Sequence, residues 1–159
     1  PSPAVDPAPP VEDASAAVLA AVKDLLAAQS SAGADMAARV EEWKLPEATR
    51  WIEASFEPEP AAAMVKDYDS VMAKMSEAML REVEQLAKVT DLEVSVQRYF
   101  KGSEVGAPPR LRRGLRSCRD GVSFYVVRFK RGQSGTGRGV WVVVMAGGKP
   151  RMFFHEVER

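Results

Sequence analysis

The chain contains a single cysteine, a single histidine and no asparagine. Cys118 alone cannot build a disulfide framework or a multi-cysteine metal site. Without asparagine there is no N-glycosylation acceptor. Any Ser–His–Asp or Cys–His catalysis would have to run through His155, and no serine or cysteine sits in a nucleophile-elbow context. No H-E-x-x-H or comparable spacing exists, so neither a metal nor a cofactor is expected. The apolar runs fall far short of the ~20 residues needed to cross a bilayer, and no transmembrane segment is expected. Formal charge over the whole chain is zero, which weighs against a nucleic-acid partner.

That neutrality conceals a division. Residues 1–89 carry 8 basic and 16 acidic side chains, net −8, whereas residues 90–159 carry 14 and 6, net +8. The hydrophobic period changes at the same place. Residues 1–13 are Pro/Ala-rich, lack a leading Met and are expected to form a disordered leader or linker. Such a segment reads as the spacer left behind a removed signal or lipid anchor. It points to an exported, periplasmic or extracellular domain of a bacterium, with a cytoplasmic location left open.

Asp13 is placed to cap a helix over 14–30, with Val18, Val22 and Leu25 on one stripe. Two short helices are expected over 34–43 and after Pro46, and a long one over 61–88 with Met64, Tyr68, Met72, Met75, Met79 and Val83 at helical spacing. From 90 onward the period is two. Strands are expected over 92–100, 122–130, 139–146 and 151–157, with a Gly/Pro/Arg loop over 102–114 and a short extra strand over 115–118. The fold class is therefore α+β, a single domain over 14–159 in which helices of 14–89 pack on a curved, mostly antiparallel sheet of about four strands from 90–159. Acidic helices over a basic sheet predict charge complementarity at the rim.

With both late hairpin connections read as even in length, one sheet face holds Tyr125, Val127, Phe129, Val140, Val142, Val144, Phe153 and His155. The other holds Phe124, Val126, Arg128, Trp141, Val143, Met152, Phe154 and Glu156, making Arg128, Trp141 and Glu156 neighbours. Neither face is polar enough for water. The helices cover one; a further helix, a ligand or a second copy must cover the other. A pocket between sheet and helices would use Tyr68, Met72, Tyr125, Trp141, Phe153 and His155, with a small apolar ligand or a protein as partner. A homodimer through the sheet is the other form of this non-catalytic binding reading.

Arg110, Arg112, Arg113, Arg116 and Arg119 form a basic cluster suited to phosphates or anionic polymers, the basis of an alternative anion-binding module. The glycine-rich stretch 132–139 lacks the strand–helix context of a phosphate loop and reads as a hairpin connection.

The order of elements, ending in Val122–Lys130, Gly139–Ala146 and Arg151–Val157 with a Gly-Lys turn, resembles the ketosteroid-isomerase-like or nuclear-transport-factor-like α+β cone superfamily. The resemblance implies a strongly curved sheet wrapping a long helix around a pocket. The isomerase's Asp base and Tyr/Asp oxyanion pair find no matching positions, so the resemblance implies a pocket or assembly domain. An enzyme of this fold acting through His155 and a pocket carboxylate is the third reading.

Overall fold

The computed structural model describes residues 13–31, 35–131 and 139–157. Apart from Asp13, the expected leader lies outside the described residues, as does the glycine-rich connection over 132–138. The elements are α1 (Ser15–Gln29), α2 (Met36–Glu41), α3 (Ala48–Ser55), α4 (Pro58–Leu86), β1 (Leu92–Phe100), α5 (Pro109–Ser117), β2 (Ser123–Arg131), β3 (Gly139–Ala146) and β4 (Lys149–Val157). The α+β reading holds: helices from the first half pack on an antiparallel meander in the order β1-β2-β3-β4, not closed into a barrel.

Local chemistry accounts for the helix starts. The Asp13 carboxylate accepts from the Ser15 backbone N–H at 3.0 Å, and Asp35 does the same for Ala38 at 3.1 Å. α4 begins three residues earlier than expected, because Pro58 and Pro60 occupy its first turn, where a missing N–H costs nothing. Its 29 residues make a rod of about 43 Å. Met72, Met75, Met79, Val83 and Leu86 form its buried stripe.

α5 corrects the expectation of a loop over 102–114 followed by a strand over 115–118. Pro109 again sits in a first turn, and Leu111 and Leu115, four apart, are its buried face. The strand end supplies the cap. Glu156 on β4 accepts from the Arg110 backbone N–H at 2.9 Å, placing a carboxylate at the positive end of the helix.

The sheet corrects the expected faces. β2 runs one residue further than anticipated, to Arg131, so the connection to β3 is odd in length and Tyr125 pairs with Val143, Val127 with Trp141. A bulge between Val142 and Val143 adds a second shift: Val142 faces Phe154, Val143 faces Met152, and Phe153 is the extra residue. Trp141 consequently lies opposite His155, while Arg128, Val140 and Glu156 line up across three strands without it. The last hairpin has the anticipated tight turn, with Gly147 and Gly148 at φ 62° and 74°.

Both faces are covered by the chain itself. On the Trp141 side, α4 reaches the sheet through Glu82 and the start of α1 reaches it through Tyr125. On the other side lie α5 and the segment before it: Arg110 stacks over Phe154, and the Tyr99 hydroxyl donates to the Gly106 carbonyl at 3.0 Å. Val126, Val142 and Val144 are 0% exposed and Val140 1% in this single chain. Of the covers that the second face required, a further helix is the one found.

Glu82 and His155 pair across the two halves. Among the described residues, Lys44–Glu41, Arg50–Glu47 and Lys88–Glu84 are each about one helical turn apart in sequence, and exposed pairs of this kind contribute little. Apolar burial holds the halves together.

Candidate functional site

Between the N-terminal half of α4 and α5 opens a groove of about 410 Å³. Ala63, Met64, Tyr68 and Val71 of α4 form one wall, at the i, i+1, i+5, i+8 positions of a single helical face. Arg110, Leu111, Arg113, Gly114 and Ser117 of α5 form the other. The floor is Phe56, Phe124, Phe153 and Phe154.

These rings form a connected aromatic cluster. Phe56 stacks on Phe153 at 5.9 Å, and Phe124 leans on both at 6.0 and 5.8 Å. Phe154 meets Phe153 at 5.5 Å, and Trp51 on α3 closes on Phe153 at 5.4 Å. The β-bulge is what allows consecutive Phe153 and Phe154 to contribute to the same floor, since a regular strand would send them to opposite sides.

Charge is confined to the rim. Arg110, Arg113 and Asp67 are exposed there. Arg112 donates to the Ala107 carbonyl at 2.9 Å and Arg119 to the Phe56 carbonyl at 3.2 Å, while Arg116 lies elsewhere on α5. None of the five arginines of the basic cluster has an ion-pair partner among the described residues. Tyr68 shows its ring to the groove and buries its hydroxyl, which has no hydrogen-bond partner in the described chain. Burial pushes its pKa up to about 12; the Asp69 charge adds to the rise and the nearby Leu45 backbone, outside hydrogen-bond geometry, opposes it. The phenol is neutral at every physiological pH.

The six pocket candidates named from the sequence do not converge. Tyr68 and Phe153 line the groove. Met72 is buried one turn further along α4, among Trp43, Met75 and Met152, where no room for a water remains. Tyr125 accepts from the Ala14 backbone N–H at 3.1 Å, beside a separate, smaller depression of about 320 Å³. Trp141 is 0% exposed and packed in the core, with Phe129 at 4.8 Å and Trp43 at 6.2 Å. His155 is held by α4: its Nε2 lies 3.2 Å from Glu82 Oε2, the oxygen that also accepts from Trp141 Nε1 at 3.0 Å.

That Glu82–His155–Trp141 group is a pinned contact between α4 and the sheet. Burial alone would raise the Glu82 pKa. The hydrogen bonds from His155 and Trp141, with the charges of His155 and Arg131, outweigh burial and hold the carboxyl below its ordinary value of 4.5. A depressed folded-state pKa means that the contribution to stability is complete above the unfolded value and disappears as pH falls through the folded one. The urea midpoint of the wild type is therefore expected to drop as pH is lowered from about 5 toward 3, and Glu82→Gln to flatten part of that drop. Parallel pH titrations of the two midpoints check this; identical slopes would refute it.

Cys118 is fully buried and burial raises its thiol pKa, which suits packing rather than nucleophilic attack. Among the described residues no three His, Cys, Asp or Glu side chains converge as a metal site requires, and no helix is long and apolar enough to cross a membrane.

The groove residues that sequence reasoning missed are Phe56, Met64, Leu111, Phe124 and Phe154 as a set. The available signal was the stretch 109–117 read at helical period, which places Arg110, Arg113, Gly114 and Ser117 on one side and Leu111 and Leu115 a step around. Set against protein-family models, characterised proteins and solved structures, the chain shows no significant match to any of them.

Proposed function

We propose that this is a non-catalytic binding domain whose α4–α5 groove receives a ligand with an apolar body. The observation that carries the reading is the apolar groove between α4 and α5, in which Phe153 and Phe154 keep a little exposed surface while Phe56 and Phe124 are packed into the floor, in a chain that closes both faces of its sheet. A volume of about 410 Å³ lies in the range of small-molecule pockets, which are mostly apolar with a few polar groups at fixed places. The groove form of the reading is favoured over a dimer through the second sheet face, because Val140, Val142 and Val144 are already buried. Export rests on the Pro/Ala composition of the first residues. The likeness to the cone superfamily is supported by the order of elements, and the binding reading does not depend on it.

Gly114 provides the test. A Cβ there meets only the Phe56 ring, at 3.9 Å, an ordinary contact, and its backbone is helical. Gly114→Leu should fold, with better helix propensity, while filling the groove. The neutral probe N-phenylnaphthylamine is expected to brighten with the wild type and to bind Gly114→Leu at least about tenfold more weakly. Equal binding by the two proteins would end the groove reading.

A further inference from the structure

We propose that the ligand of this groove is a single-chain amphiphile with a monoanionic head, a long-chain carboxylate, its head on Arg110 and Arg113 and its tail along the phenylalanine floor. The inference rests on the groove being a binding site and names the chemistry of what enters it.

The floor decides the tail. Its rings present carbon only, the Ser117 hydroxyl is spent on the Gly114 carbonyl at 3.2 Å, and the Tyr68 hydroxyl is turned away into the protein. A polar body would lose its water there and find no free hydroxyl donor. The groove follows α4 from Ala63 to Val71, about 12 Å of helix at 1.5 Å per residue, a run suited to one extended alkyl chain.

The rim decides the head. The Arg110 guanidinium lies over the Phe154 ring, 4.7 Å from its centroid, so the apolar floor and the cation share one side chain. Stacking uses the face of the guanidinium and leaves its edge of N–H donors for a carboxylate. Arg113 stands one turn along the same helix, without an ion-pair partner among the described residues. The opposing charge at the groove is Asp67 on α4. Glu156 keeps its charge but lies outside the groove lining, set against the positive end of α5 through the Arg110 N–H. Within the groove lining, two cations against one carboxylate suit a single negative charge. A cationic head would meet net repulsion.

The experiment is calorimetric titration of the whole chain at low salt with decanoate and decyl phosphate below their micelle concentrations and decanol below its solubility limit. Decanoate is expected to bind about tenfold more tightly than decanol, since charge-assisted hydrogen bonds to exposed arginines are partly screened. The advantage should shrink in 0.5 M NaCl, and in an Arg110→Gln/Arg113→Gln double variant the ratio of decanoate to decanol affinity should fall to about one, whatever the variant does to decanol binding itself. Octanoate should bind about tenfold more weakly than decanoate, the effect of two methylenes. Decanol binding as tightly as decanoate would overturn the assignment of the head while leaving the groove reading intact. Tighter binding of decyl phosphate would overturn the single charge. Failure of all the amphiphiles, in a protein whose circular dichroism shows it folded, would overturn both the inference and the groove reading.

Discussion

Trp141→Ala is expected to lower the free energy of unfolding by about 3–5 kcal/mol, the range for removing a buried large aromatic. The side chain is 0% exposed, spans the contact between β3 and α4, and packs edge-on to Phe129 and Trp43. Its loss leaves a cavity and deprives the Glu82 carboxylate of one of two donors. Against a total stability of typically 5–15 kcal/mol, such a change brings the domain close to its threshold. Trp141→Phe separates the two contributions. The phenyl ring keeps most of the packing, and the remaining loss, about 1–3 kcal/mol, reports the abandoned hydrogen bond to a buried acid. Urea titration reads both values, with an unchanged m-value as the sign that the denatured state is unaffected. A loss below about 1 kcal/mol for Trp141→Ala would contradict its place in the core.

Phe124→Ala is expected to cost about 3 kcal/mol, toward the lower end of the range for buried phenylalanines. Phe124 is 0% exposed and contacts Trp51, Phe56 and Phe153, so its removal undermines the aromatic floor. The new space adjoins the groove, and solvent or ligand entering it offsets part of the cavity term. The variant should consequently regain more stability from a saturating apolar ligand than the wild type does, a difference readable as the shift in melting temperature on adding N-phenylnaphthylamine. An equal shift in the two proteins would place the ligand elsewhere.

The elements that sequence reading recovers are those whose burial pattern has one dominant period. β1 is the clearest: apolar and polar residues alternate from Leu92 to Gln97, and the strand spans the residues anticipated. The Met stripe of α4 and the Gly147–Gly148 turn are equally direct. α5 was hidden because Pro108, Pro109 and Gly114 all signal irregular structure, and a helix of nine residues with two leucines shows little periodicity. What makes it a helix is tertiary: Glu156, 46 residues later, caps its first turn, and Phe56 lies beside Gly114. The faces of β2, β3 and β4 failed for a related reason. One additional residue in β2 and one bulged residue in β4 each invert the side on which every following side chain lies, and neither leaves a local mark. The pocket candidates followed from that faulty parity. Trp141 and His155 were separated when they are opposite each other, and Phe153 and Phe154 were set on different faces when the bulge gathers both to one floor.

The dependence of α5 on Glu156 has a consequence for biosynthesis. A polypeptide leaving the ribosome would present α4 and α5 long before β4, which carries the cap of α5 and two rings of the floor. Until that last strand is added, α5 has no acceptor for its leading amide and the methionine face of α4 has no complete sheet to lie on. Nascent chains arrested before residue 149 should accordingly expose grease to chaperones, and ligand competence should arise late and all at once, when the final hairpin docks.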